Sequence, residues 1–243
     1  MKVIKLVLVI IILLFGILAA SSYLKDIRHD DAIIDTPVID EEALKALEEY
    51  RANLEAEFMV YYDQNQDYVG WLAFNSGIIS EPVMDSNDHE KYLRSNFLLE
   101  KDDEGTVFVD MDADIDSRNI TLYGHYVYYD ETAKFSPLHL LKEEKNYSKH
   151  KDITLKLKNE IREYEVFAVY YYDWENDISY VYNTADFQTE EGFLRHVRRA
   201  KERSMYQTDV EVDGDDNLLT LQTCVRNRDD LRLIVVAKET KRK

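Results

Sequence analysis

The sequence predicts a mainly β protein, a closed barrel with helical excursions, and three observations carry that reading. Ile153, Leu155 and Leu157 alternate strictly with Thr154, Lys156 and Lys158, the period of a strand with one wet face. Leu218 to Lys238, LLTLQTCVRNRDDLRLIVVAK, is two apolar runs joined by a turn rich in Arg, Asn and Asp, the pattern of a β-hairpin. Several further short apolar runs lie between polar turns, while helical periodicity beyond the N-terminal segment is confined to two stretches.

Taken in order, residues 1–24 form a targeting segment. Lys2 and Lys5 precede an apolar run, and Val3 to Ala20 spans 18 residues, near the lower limit of ~17–25 for a helix that crosses a bilayer. Ala19, Ala20, Ser21 and Ser22 would suit a signal peptidase. We read the segment instead as a retained single-pass anchor, with its short N-terminal flank inside and the rest of the chain outside. Residues 25–64 are a polar link containing Pro37 and then a helix from Asp40. Leu44, Leu47, Leu54, Phe58 and Tyr61 fall at helical spacing, which predicts one apolar face packed on the domain. Acidic residues crowd its first turn, where the helix dipole favours them.

The core occupies residues 65–243. Asp67 to Leu72 leads into strands over Ile78 to Met84, Thr106 to Asp110 and Ile120 to His125. The segment Phe135 to Leu141 follows, then the alternating strand and a longer aromatic one from Arg162 to Tyr172. A long excursion runs from Asp173 to Asn217. Its middle, Glu190 to Arg203, is helical by the spacing of Phe193, Val197 and Ala200. Arg195, His196, Arg198 and Arg199 are expected on its solvated face.

Composition excludes whole classes of function. The chain has 48 acidic against 30 basic residues, a net charge of −18. Nucleic acid, anionic polymers and anionic lipid faces would therefore be repelled. One cysteine rules out an intrachain disulfide and any multi-cysteine metal site. Asp110, Asp112, Asp114 and Asp116 alternate like the opening of a calcium loop, but the positions that need Gly and Glu hold Ile115 and Thr121. An acidic surface loop is expected there, and no metal or other cofactor.

The lone Cys224 is then either a packed hydrophobe or a reactive thiol. Thr220, Gln222 and Cys224 share one face of their strand, with Leu219 and Leu221 on the other, and Arg232 has matching parity on the second strand. A register with 224 opposite 232 makes thiol and guanidinium cross-strand neighbours. A neighbouring cation favours a thiolate, and the thiolate is the nucleophile. For a base, His125 is distinctive: it ends the apolar run NITLYGH just after Gly124, whereas the other five histidines sit in polar or charged stretches.

The order TLYGH, then TLQTC, then an Arg opening RLIVVAK resembles the sortase family of cysteine transpeptidases, over about residues 65 to 240. Class B is the nearest group, because a helix precedes the core, a helix-containing insertion precedes the Cys strand, and the tail ends in an IVVAK-like strand. Gln222 departs from the Ser more usual in that class. The resemblance implies a sortase-type β-barrel of about eight strands. It also implies Cys224 as nucleophile, His125 as acid and base, and Arg232 as the positive charge at the reacting carbonyl. Arg226 and Arg228, in the turn, are expected to be solvent-exposed. Tyr123, Gln222 and Thr223 border the site, with structural roles expected for each, and the insertion would help wall the substrate groove.

Implied partners are secreted proteins bearing a C-terminal LPxTG-like or NPQTN-like sorting signal, cut after Thr, and an amine of peptidoglycan or its lipid-linked precursor. The enzyme would be tethered to the membrane by its N-terminal helix, with the catalytic domain extracellular. The alternative is a non-catalytic membrane-anchored β-domain that binds wall polymer or a partner protein, with Cys224 merely packed. The His-before-Cys order sets the chain apart from papain-like proteases.

Overall fold

Eight strands close into a barrel in the order β1-β2-β3-β4-β7-β8-β6-β5. They are β1 (Tyr68–Phe74), β2 (Ser80–Met84), β3 (Val107–Val109), β4 (Asn119–Tyr123), β5 (Asp152–Lys156), β6 (Ile161–Asp173), β7 (Leu218–Val225) and β8 (Arg228–Arg242). The helices are α1 (Glu41–Tyr62), α2 (Tyr147–His150) and α3 (Glu190–Arg203). This computed structural model describes residues 41–243 except 89 and 178. The anchor and link expected over residues 1–39 lie outside the described residues. Among the described residues no helix is long and apolar enough to cross a membrane. The chain divides into two compact units, residues 1–47 and 48–243, and the second contains the whole barrel.

The barrel interior is filled by one face of each strand. Leu72, Val83, Val107, Ile120, Leu122, Leu155, Leu219, Leu221, Leu233 and Val235 belong to a single buried cluster. A second cluster lies on the outside of β6, β7 and β8, where Phe167, Tyr170, Leu218, Ile234 and Val236 pack against Phe193, Val197 and Ala200 of α3. Burial on both faces explains why LIVVA, residues 233–237, reads as a continuous apolar run and not as an alternating one. Two pairings are parallel, β2 with β3 and β4 with β7.

Three expectations need correction. The lead-in from Asp67 is itself the strand β1, which exchanges register with both β2 and β5. The segment Phe135 to Leu141, which carried no assigned element, folds as a 3-10 helix over Ser136–Lys142 with Pro137 in its first turn, where a missing N–H costs no bond. Along α1, Leu54 is buried, and the rings of Phe58 and Tyr61 pack at a tilt against Tyr68, and that of Tyr61 also against Trp71, at centroid distances of 5.0 to 5.3 Å. Leu44 and Leu47, in the acid-rich first turns, are exposed.

The third correction concerns α3. Thr189 caps it by accepting from the Gly192 N–H at 3.1 Å, with Glu190 and Glu191 in the first turn and Lys201 and Arg203 in the last. Arg195 and Arg198 are exposed, but His196 is 94% buried, its ring packed against Tyr180 and Phe187 at 5.3 and 5.1 Å. The helical period, not residue polarity, decided this: positions 193, 196, 197 and 200 share one face.

Burial first, and then the charge of Arg199, push the His196 pKa down to about 4. The unfolded chain then holds more protons than the native one between pH ~6.5 and 4, so acidification through that window removes about 3 kcal/mol of stability. We expect urea unfolding of His196→Leu to show a shallower loss of stability from pH 7 to pH 4 than the parent chain. Parallel curves would show that His196 does not contribute.

Candidate active site

The parallel ladder between β4 and β7 positions the site. Its last pair is Tyr123 with Gln222, and the Gly124 N–H extends it by donating to the Gln222 carbonyl at 3.1 Å. His125 and Cys224 each follow that pair by two residues, so both emerge at the same end of the barrel. Gly124 is required by space: a Cβ there would stand 2.5 Å from the Phe135 ring. Phe135 in turn donates its N–H to the His125 carbonyl at 3.1 Å, closing the loop that follows the histidine.

The His125 ring is held from the other side. Its Nε2–H donates to the Leu93 carbonyl at 2.9 Å, which in the neutral ring leaves the Nδ1 lone pair free of that bond. Leu93 is fixed by its neighbour Tyr92, a buried residue whose hydroxyl accepts from Asn65 at 2.9 Å and donates to Asp67 at 2.8 Å. The Tyr92 carbonyl accepts from Thr106 at 2.9 Å. Gly105 permits that approach, since it holds a φ of +62° and a Cβ would overlap the same carbonyl oxygen.

Cys224 pairs directly with Arg232 across the β7–β8 hairpin. Immediately beyond, the register breaks. Val225 pairs with Arg228, so residues 229–231 bulge out of the ladder, and Asn227 makes the turn with a φ of +60°. The bulge turns its carbonyls toward Arg232, whose Nη1 donates to Asp229 O at 2.7 Å and Leu231 O at 2.9 Å. Trp174 Nε1 donates to the same Asp229 carbonyl at 2.9 Å. Of the three arginines, Arg226 is exposed in the turn, and Arg228 is exposed and paired with Asp230 at 2.6 Å. Arg232 alone of the three lines the cleft.

That cleft, of about 260 Å³, is walled by Leu93, Phe108, Tyr123, Gly124, His125, Gln222, Cys224 and Arg232. Five of the six residues singled out in the sequence meet there. Thr223 does not: it is fully buried and shares the interior face of β7 with Leu219 and Leu221.

A polar network behind the cleft was not legible in the sequence. Asp110, expected on a surface loop, is 96% buried, and its carboxylate accepts from the Tyr123 hydroxyl and from Asn183 Nδ2, the latter at 2.8 Å. Tyr182 donates its hydroxyl to Gln222 Oε1 at 3.2 Å. The insertion therefore reaches the site through the arm that precedes α3, while the helix itself contributes none of the residues lining the cleft. Burial, then Tyr182 and Asp110, raise the Tyr123 pKa far above that of an ordinary phenol; burial pushes that of Tyr182 up to about 12. Both hydroxyls stay neutral donors at physiological pH. Leu93, Phe108, Tyr182 and Asn183 carry no motif, and only the tertiary fold assembles them.

Sequence and fold both match known proteins. The sortase-domain family model matches residues 78–240. The chain belongs to the sortase family. It is 24% identical over 242 residues to sortase B of Staphylococcus aureus, covering 98% of this chain and 96% of that protein. Sortase B of Listeria monocytogenes is 28% identical over 167 residues, 68% of this chain and 65% of the relative. Among solved structures, sortase B of Clostridium perfringens matches with a TM-score of 0.69 at 28% identity, over 75% of this chain and 99% of that one. The affinity is therefore with class B sortases, cysteine transpeptidases, despite Gln222.

Gly124 offers a direct test of how the His125 turn is built. Gly124→Ala should lower stability by about 1–3 kcal/mol through overpacking against Phe135. Gly124→Ala combined with Phe135→Leu should recover part of it. Urea denaturation measures both; an unchanged midpoint for Gly124→Ala would contradict the contact.

Proposed function

We propose that Cys224, as thiolate, attacks the carbonyl carbon of the Thr residue in a C-terminal sorting signal, LPxTG-like or NPQTN-like, carried by a secreted protein. The observation that carries this reading is that Cys224, His125 and Arg232 face one cleft, with Arg232 in register opposite Cys224. Attack forms a C–S bond and an oxyanion, to which Arg232 offers a fixed positive charge. As the C–N bond breaks, protonated His125 gives its proton to the leaving amine, and a thioacyl enzyme remains. An incoming amine then loses a proton to His125 and attacks the thioester carbonyl. The Cys224 thiolate leaves, and a new amide bond joins the protein to the acceptor.

The acceptor in this reading is an amine of peptidoglycan or of its lipid-linked precursor. The net charge of −18 suits a cationic amine better than an anionic polymer. Residues 1–24 tether the enzyme to the membrane, with the catalytic domain on the extracellular side. No step requires a metal or organic cofactor.

The test is mass spectrometry of the full chain in detergent with both peptide classes, and with triglycine or diaminopimelate as amine. Cleavage after Thr with a transient acyl adduct on Cys224 is expected. Cys224→Ala should abolish the adduct, His125→Ala should slow acylation about 10²–10⁴-fold, and Arg232→Lys about 10²-fold. A thiol that alkylates readily yet takes no acyl group from either peptide class would overturn the proposal.

A further inference from the structure

Only one histidine is assigned to the chemistry above, but a second touches both of the segments that carry it. His139 sits in the 3-10 helix Ser136–Lys142, four residues after the Phe135 that closes the His125 loop. Its Nε2–H donates to the backbone carbonyl of Cys224 at 3.1 Å. Its ring packs against Tyr126, the residue next to His125, at a centroid distance of 4.7 Å. Cys224 is also where the β7–β8 register breaks, so its carbonyl lies beside the bulge.

The 3-10 helix is itself anchored. Leu138 and Leu141 are fully buried in the barrel cluster. The Ser136 hydroxyl accepts from the Val127 N–H at 2.7 Å, and Tyr126 bridges Lys134. The helix is thus a rigid base for His139, already bound to the loop that carries His125.

We propose that His139 is a positioning residue, bracing the Cys224 backbone against the His125 loop so that thiol and imidazole hold their relation through both halves of the transpeptidation. It contacts neither substrate nor the reacting atoms. The hydrogen bond fixes the last regular peptide of β7, and the ring contact fixes the residue after the acid and base. A shift of either would move one reacting group relative to the other, and proximity effects in catalysis are steep in such displacements. Burial, chiefly, lowers the pKa of His139, so the ring stays neutral at physiological pH, with the Nε2 proton on the carbonyl.

The inference rests on the reading of Cys224 and His125 as the reacting pair, and the test separates the two. In the full chain, His139→Phe keeps an aromatic ring for Tyr126 but removes the donor, whereas His139→Gln keeps an N–H at similar reach. His139→Phe should slow acylation about tenfold in kcat with KM unchanged, and His139→Gln should stay within about threefold of the parent, the scale of one hydrogen bond. The rate of Cys224 alkylation by iodoacetamide, followed against pH, should change for Phe and not for Gln. Should the Phe variant fail to fold, His139→Asn replaces it: one methylene shorter than Gln, it should be slow.

Wild-type kcat and alkylation profile in the Phe variant, or in the Asn variant that replaces it, would overturn the brace, as would equal losses in that variant and in the Gln one. If the parent chain takes no acyl group from any peptide, the proposed function fails while the alkylation profiles still decide the role of His139.

Discussion

The parallel pairing of β4 with β7 is the constraint on which the site depends. A strand slipped by one residue turns every side chain to the other face, which here would bury Cys224 and expose its apolar neighbours. Ile120 and Leu122 on one strand and Leu219 and Leu221 on the other, all inside the barrel, oppose that slip. A polar tie fixes the same register: the Thr220 hydroxyl donates to Asn119 Oδ1 at 2.7 Å across a sequence separation of 101, and both residues are fully buried. Asn119 Nδ2 also donates to the carbonyl of Thr184 at 3.0 Å, so the insertion is held by the same residue. Unsatisfied amides are expensive in such an interior, which makes the arrangement specific as well as stable.

Around that frame the groups facing the cleft are fixed before any ligand arrives. Arg232 is oriented by carbonyls of its own hairpin, His125 by the Leu93 carbonyl, and Gln222 by the Tyr182 hydroxyl. Ordering these side chains is a cost met during folding and not on binding, which is how preorganised sites keep binding energy available for chemistry. The neutral phenols of Tyr123 and Tyr182 add hydrogen-bond donors without adding charge.

What the sequence revealed follows from which forces are local. Alternation over residues 153–158 marked a strand because one face is dry, and the apolar runs around Cys224 marked strands because both faces are. Parity put Cys224 and Arg232 on one face and left the register open; the observed register makes them cross-strand neighbours. Asp110 looked like a surface acid because its partners, Tyr123 and Asn183, are 13 and 73 residues away. The break in the hairpin, which aims Arg232, follows from pairing with β6 at Asp173 and from the Trp174 contact, neither of which leaves a trace in the hairpin sequence. His196 was misplaced by its polarity, although the helical period put it on the buried face.

Closure of the barrel has a consequence for recognition. Among the described residues every strand of the barrel has a hydrogen-bonded neighbour on both sides over at least part of its length, so no whole strand lies at an outer edge. Many proteins that bind extended peptides add them as an extra strand and draw affinity from main-chain bonds that ignore sequence. Here that route has no complete edge strand to use, which leaves side chains and loops at the barrel end as the larger part of any surface offered to an extended peptide. Affinity and sequence discrimination then come from the same few contacts, and a chain that does not fit has little generic attraction to keep it there.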